Sequence, residues 1–183
     1  MRSVGMVLAL TGFSGLVLAN EPCRSGLQPG QRPGPYAFLV CVGPQRGQSH
    51  CFICETGDRP AVIVFARSTG DPLARLVEKL NQAVKDHKKA EVRSWVTFLS
   101  DNQPELEPKL VEWSRMHGIS NVSLGVFEDL DGPPSYRLSR EADVTVLLSV
   151  NQRVVGNFAF RPGELNDEKV KGILETLPKI MTK

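Results

Sequence analysis

The stretch that decides the fold spans residues 50–72 and reads HCFICETGDRPAVIVFARSTGDP. It contains a Cys-x-x-Cys pair, Cys51 and Cys54, followed by an uninterrupted apolar run at 61–66. A short, β-rich apolar run predicts a strand that is covered on both faces. The Asp-Pro at 71–72 offers an N-cap aspartate followed by a proline suited to the first helical turn. The stretch therefore predicts a strand, a short loop and a helix, in that order.

Further elements are predicted on both sides of this stretch. Upstream, residues 36–42 and 50–54 flank a turn, which predicts an N-terminal β-hairpin. Downstream, helical and strand-like patterns alternate and predict helices at about 72–88, at about 104–117 and after a cap at Asn166, and strands at 92–99, 122–127, 144–150 and 153–160. The order predicts an α/β fold with a mixed central sheet and helices on both faces.

Length and charge suit a globular domain and exclude one class of partner. The chain has 183 residues, of which 41% are hydrophobic, and a formal net charge of +2. This length is sufficient to bury a sizeable core. Because the charge is nearly balanced and no long basic run is present, binding to nucleic acid has no electrostatic support.

The first nineteen residues differ in composition from the rest. The N-terminal Met-Arg is positively charged, and residues 5–19 are uncharged and mostly apolar. This run is too short for a comfortable membrane span, so we predict a secretory signal peptide at 1–19. We expect an exported protein, periplasmic or secreted, without a membrane anchor after cleavage. Residues 20–35 are rich in Gly and Pro and predict an extended lead-in to one domain at 36–183.

If the protein is exported, its four cysteines are expected to form disulfides. Cys23, Cys41, Cys51 and Cys54 all precede residue 55, and cysteines in an oxidising compartment usually form disulfides. The pairing stays open between a 51–54 bond, a bond from one of these two to Cys41 across the hairpin, and a bond to Cys23. A cross-hairpin bond would stabilise the fold by about 2–4 kcal/mol.

These patterns resemble the thioredoxin-like superfamily, and more specifically its peroxiredoxin-like branch of the alkyl hydroperoxide reductase and thiol-specific antioxidant type. The resemblance covers roughly residues 28 to 180. It is carried by the Gly, Pro and aromatic lead-in at 30–38, by Arg59-Pro60 with the apolar run at 61–66, and by the closing hairpin of 144–148 and 153–156. The resemblance implies a thioredoxin-like fold and redox activity.

The sequence departs from this branch where the reactive cysteine should lie. In active members the attacking cysteine begins the helix after the first core strand, where backbone N–H groups and the helix dipole stabilise its thiolate. Here residues 67–71 read Arg-Ser-Thr-Gly-Asp, and residues 143–145 lack the cis-proline of many relatives. The usual mechanism of the family therefore does not transfer to this chain.

Two functions from different classes are consistent with these observations. The first is thiol–disulfide exchange with a redox partner protein. Cys51 and Cys54 would be the catalytic residues of this displaced pair, and the cationic form of His50 would help by favouring a nearby thiolate. The second is a non-enzymatic binding or scaffold module whose cysteines form structural disulfides. The missing cysteine at 67–71 favours the second function, as does our expectation that no helix begins at the pair.

A metal site is a weaker third alternative. Cys41, His50, Cys51 and Cys54 are the types of ligand that zinc or copper takes in a tetrahedral site. However, His50 directly adjoins Cys51 and the chain has a single Cys-x-x-Cys, which is not a standard ligand spacing. We expect neither a metal nor a cofactor.

Overall fold

Seven strands form one mixed sheet in the part of the chain that the computed structural model describes, residues 21–181. The predicted signal peptide at 1–19 lies outside these residues. The strands are β1 (Phe38–Val42), β2 (Ser49–His50), β3 (Ala61–Ala66), β4 (Arg93–Leu99), β5 (Ser123–Phe127), β6 (Val144–Val150) and β7 (Arg153–Phe160). Their order across the sheet is β2-β1-β5-β4-β3-β6-β7.

The three central strands run parallel and the outer ones antiparallel. β3 pairs with β4, and β4 with β5, in parallel. β1 is antiparallel to β5 and β2, while β6 is antiparallel to β3 and β7. All six residues of β3 are buried, as its continuous apolar sequence predicts. The predicted mixed central sheet is confirmed.

The described helices are α1 (Phe52–Thr56), α2 (Asp71–Asp86), α3 (Gln103–Met116), α4 (Asp167–Thr176) and α5 (Pro178–Met181), with short 3₁₀ turns at Lys88–Ala90 and Pro134–Tyr136. None of them is long and apolar enough to cross a membrane. The predicted bounds of α2 and α3 and the predicted start of α4 are correct to within about two residues. The N-cap of α2 is Gly70 rather than Asp71, which is the first helical residue and precedes Pro72.

Helices lie on both faces of the sheet, but unequally. One face buries an aliphatic cluster against α2, α3, α4 and α5. The other face carries an aromatic cluster that is covered by α1, the 3₁₀ turn at Pro134–Tyr136 and the lead-in segment, which contributes Leu27 and Tyr36. The lead-in also pairs with the edge strand β7, because the Gly30 amide donates to the Val154 carbonyl and the Val154 amide to the Gln31 carbonyl.

The turn between β6 and β7 is the tight hairpin that Asn151-Gln152 predicts. Both residues adopt positive φ, 51° and 56°, which is the conformation that a two-residue type I′ turn requires. The amide of Asn151 donates to the carbonyl of Asp58, just before β3. This hairpin therefore places Gln152 beside the end of α1.

Candidate functional site

Cys51 and Cys54 form a disulfide at the start of helix α1. The S–S bond joins residues whose Cα atoms are 5.4 Å apart. The prediction that residues 50–54 form a strand, with no helix beginning at the pair, is wrong. β2 ends at His50, Cys51 is the N-cap of α1, and the amide of Cys54 donates to Cys51 Sγ at 3.3 Å. A strand would point residues three apart to opposite faces, so the bond requires the turn that α1 provides.

Phe52, inside the pair, anchors α1 to the sheet. Its side chain is buried, and its ring stacks on Phe38 and on Trp95 with centroid distances of 5.4 and 5.6 Å. Trp95 is fully buried, and its indole N–H donates to the Tyr36 hydroxyl at 2.8 Å. The disulfide is thus fixed to the aromatic core through the residue between Cys51 and Cys54.

The two sulfur-bearing residues differ in exposure. Cys51 is half-buried and Cys54 is exposed. A cleft of about 430 Å³ opens beside Cys54 and is lined by residues 32–35 of the lead-in, Ile53, Gly57 and Gln152. Cys54 is therefore the more accessible member of the pair, and it faces a space large enough for a small ligand or a short peptide segment.

His50 lies next to the pair in sequence but directs its ring nitrogen elsewhere. Nε2 of His50 is 3.1 Å from Oε2 of Glu55, and the imidazole packs edge-on against Phe52 at 4.6 Å. The other carboxylate oxygen of Glu55 is 3.6 Å from the Arg93 guanidinium. The geometry links His50 to α1 through Glu55, and its role as an electrostatic helper stays a prediction.

The disulfide lies at the opposite end of β3 from the usual reactive position of the fold. α1 precedes Ala61, the first residue of β3, whereas the loop at 67–70 follows its last residue. In that loop the Arg67 side chain donates to three carbonyls, those of Leu130, Ser139 and Ala142. The other end of β3 is thus occupied by a closed hydrogen-bond network around an arginine instead of a cysteine.

The other two cysteines take no part in the site. Both are free: Cys41 is buried in the aliphatic cluster, and Cys23 is half-buried. Burial raises the pKa of both thiols, that of Cys41 from 9.0 to about 11. The open pairing is therefore settled as Cys51 with Cys54, and the alternatives that joined this pair to Cys41 or Cys23 are wrong.

Alkylation with iodoacetamide should distinguish the buried thiol of Cys41 from an ordinary one. The thiolate is the reactive form, so a pKa of about 11 together with full burial should leave Cys41 unmodified at neutral pH in the native protein. Labelling should rise as the pH approaches 11, and should be rapid in urea. Mass spectrometry of the oxidised protein measures this, and equal labelling rates in buffer and in urea would contradict it.

The described residues do not form the metal site considered above. Among them, no three His, Cys, Asp or Glu side chains come together as a group that could hold a metal ion. Cys51 and Cys54 are bonded to each other, and Cys41 belongs to the cluster on the opposite face of the sheet.

Sequence reasoning missed the residues that form the cleft wall. Arg32 and Gln152 are 120 positions apart, and the Arg32 guanidinium donates to the side-chain oxygen of Gln152. The Gln152 amide nitrogen donates in turn to Oδ1 of Asp58 at 2.8 Å. The available signal was the two-residue gap, Asn151-Gln152, between the strands predicted at 144–150 and 153–160. The sequence does not show that this turn meets the lead-in.

No protein-family model and no curated protein matches this sequence. Solved structures do match. A Bacteroides thetaiotaomicron protein assigned as a protein disulfide isomerase is 13% identical, with a TM-score of 0.64 over 87% of this chain and 94% of its own. A Chlorobium tepidum protein assigned as the thiol:disulfide interchange protein DsbE is 12% identical, with a TM-score of 0.63 over 85% and 99%. Peroxidoxin BcpB from Mycobacterium tuberculosis is 11% identical, with a TM-score of 0.61 over 84% and 98%.

These similarities establish the fold. The chain has a thioredoxin-like fold, the one shared by thiol–disulfide oxidoreductases and peroxiredoxins, and it carries a Cys-x-x-Cys disulfide. The resemblance drawn from the lead-in, the first core strand and the closing hairpin is confirmed at this level.

Proposed function

From the thioredoxin-like fold and the disulfide it carries, we propose that this chain is an exported protein that performs thiol–disulfide exchange through Cys51 and Cys54. The observation that carries the proposal is an oxidised pair whose second sulfur-bearing residue is exposed beside a cleft. Exchange proceeds by attack of a thiolate on a disulfide sulfur, which requires access to that sulfur. Cys54 meets this requirement.

The short spacing of the pair also favours exchange over a purely structural role. A disulfide stabilises a fold mainly by restricting the unfolded chain, and the effect grows with the length of the loop it closes. Cys51 and Cys54 are three residues apart, so their bond contributes about 2 kcal/mol in this account, at the low end of the usual range. The cross-hairpin bonds from Cys41 to Cys51 or Cys54, which would have linked β1 covalently to α1, are not formed.

His50 and a redox partner complete the proposal. The cationic form of His50, adjacent to Cys51, would stabilise a Cys51 thiolate once the disulfide opens. Glu55 holds the imidazole at the N-terminal end of α1, within the same structural unit as the pair. A partner protein would restore the oxidation state of the pair after each exchange.

Export is supported by composition and by the oxidised pair. The apolar segment at 5–19 has the length and charge pattern of a signal peptide, and disulfides persist mainly in oxidising compartments. The Chlorobium tepidum structure carries the DsbE name of a thiol:disulfide interchange protein, which is consistent with the same type of chemistry.

A non-enzymatic binding or scaffold module is the second candidate function. The specific observation in its favour is the segment between β3 and α2: Gly70 and Asp71, rather than a cysteine, begin α2, and Arg67 in the same loop donates to three carbonyls. In that case the disulfide would only fix α1 against the aromatic core.

The proposed exchange can be tested with insulin, whose reduction by dithiothreitol produces turbidity. We expect the protein to accelerate this reduction. A Cys23→Ser/Cys41→Ser variant should retain the acceleration, because neither residue is bonded to the pair. Cys41 lies in the cluster on the other face of the sheet, and Cys23 lies in the cleft that Glu164 lines. Absence of acceleration, in a protein whose 51–54 bond also resists reduction by glutathione, would favour the scaffold function.

A further inference from the structure

The cleft beside Cys54 carries an unpaired positive charge. Arg32 is the one charged side chain among the residues that line it. The Arg32 side chain is exposed, and within the described part of the chain it makes no ion pair; its hydrogen-bond partner is the neutral amide oxygen of Gln152. The hydrogen bond to Gln152 thus holds the Arg32 guanidinium in place but leaves its positive charge unpaired.

The nearest carboxylate in this network is already engaged. Oδ1 of Asp58 accepts the Gln152 amide nitrogen at 2.8 Å, so Gln152 stands between Asp58 and Arg32. Backbone hydrogen bonding fixes the same region, since the Asn151 amide donates to the Asp58 carbonyl at 3.0 Å. Arg32 is therefore held at the cleft wall by a turn of the sheet, with donors left for a ligand.

The two sulfurs are not equivalent with respect to this cleft. Cys54 lines it and is exposed, whereas Cys51 is half-buried and does not line it. Cys51 Sγ also accepts the amide N–H of Cys54 at 3.3 Å, a contact that would favour negative charge on this sulfur. This geometry makes Cys54 Sγ the sulfur that is attacked and Cys51 Sγ the sulfur that leaves as a thiolate.

We propose that the cleft is a binding site for thiols that bear a carboxylate, held by Arg32 so that their sulfur attacks Cys54. The inference rests on the proposed exchange function and names its substrate class and its attacked atom. A guanidinium pairs with a carboxylate in planar geometry, and such complementarity raises encounter rates and selects against cationic ligands.

The reaction balances with the disulfide itself as oxidant. The substrate thiolate forms a bond to Cys54 Sγ, the Cys51–Cys54 bond breaks, and its electron pair leaves on Cys51 as a thiolate. A second substrate thiolate then attacks the substrate sulfur of this mixed disulfide, and Cys54 leaves as a thiolate. Two thiols become one disulfide, and the pair gains two electrons and takes up the two protons the thiols released.

Two small thiols of opposite charge test the role of Arg32. The rate at which 3-mercaptopropionate reduces the 51–54 bond is divided by the rate for cysteamine, in the full chain, at low salt. The same ratio is measured for Arg32→Gln and for Arg46→Gln, which removes an exposed arginine from the turn between β1 and β2, outside the cleft lining. Comparing ratios cancels the intrinsic difference in reactivity between the two thiols.

We expect the ratio of the 3-mercaptopropionate rate to the cysteamine rate to be at least about three-fold lower in Arg32→Gln than in the parent, because one exposed charge pair is lost. In Arg46→Gln the ratio should stay close to that of the parent. An equal ratio in all three proteins, with the pair still reduced, would overturn the carboxylate preference while leaving the proposed exchange intact. If neither thiol reduces the pair in the parent, the proposed exchange fails, and this inference fails with it.

The attacked atom is tested by trapping the intermediate. The oxidised parent is exposed briefly to 3-mercaptopropionate, quenched with iodoacetamide and mapped by fragmentation of the 51–54 segment. We expect mercaptopropionate on Cys54 and the acetamide group on Cys51. The reverse distribution would overturn the assignment of Cys54 while leaving the proposed exchange through the pair intact.

Discussion

Replacing Cys51 with serine is expected to abolish the catalysed reduction of insulin. The variant keeps the exposed Cys54, so it can still form a mixed disulfide, but it has lost the thiol that closes the 51–54 bond. Because the lost bond closes a very short loop, the free energy of unfolding should fall by only about 2 kcal/mol. The insulin assay and urea unfolding of parent and variant measure the two quantities.

Cys41→Ser is the matched control for this change. Cys41 is free and lies in the aliphatic cluster on the other face of the sheet, so exchange should persist even where the buried hydroxyl costs some stability. The scaffold function predicts a different pair of results. The parent would show no exchange, and Cys51→Ser would lose far more stability than the short loop accounts for.

The overall fold could be predicted because its elements are long and strongly patterned. The six apolar residues of β3 and the helical repeat of α2 each allow one interpretation, and both are found as predicted. Asn166 caps α4 with its side chain, as its position before two acidic residues indicates. In these elements, local preference and tertiary packing favour the same conformation.

The local structure of the cysteine pair could not be predicted, because here the local preference and the tertiary contacts favour different conformations. The sequence of α1, Phe-Ile-Cys-Glu-Thr, is only five residues long and includes three residues with high strand propensity, Phe, Ile and Thr. Its helical conformation is set by contacts from distant parts of the chain, the stacking of Phe52 on Phe38 and Trp95, together with the disulfide. Such contacts override the intrinsic preference of a short segment.

The position of the site relative to the sheet was predicted better than its chemistry. The pair precedes the apolar run at 61–66 and no cysteine follows it at 67–71, so the sequence placed the site upstream of the first core strand. The structure adds that Arg67 donates hydrogen bonds from this loop to the segment before β6. The cleft was missed because it is formed by the lead-in and the β6–β7 turn, which only the folded sheet brings to α1.

Replacing Trp95 with alanine should lower the free energy of unfolding more than any of the other substitutions described. The side chain is fully buried, stacks on Phe52 and donates its indole N–H to the Tyr36 hydroxyl. The change would leave a cavity in the aromatic cluster and remove one partner of a buried hydroxyl, which typically costs about 3–5 kcal/mol for an aromatic residue. Urea unfolding followed by circular dichroism gives the value.

Met116→Ala is the control for this prediction, because Met116 is 68% exposed and its truncation should change stability by about 0.5 kcal/mol or less. The Trp95 variant should also show faster reduction of the 51–54 bond by glutathione, since Phe52 would lose one of its two stacking partners and α1 would open more often. A Trp95→Ala protein with parental stability and an unchanged reduction rate would show that the aromatic cluster neither supports the fold nor positions the disulfide.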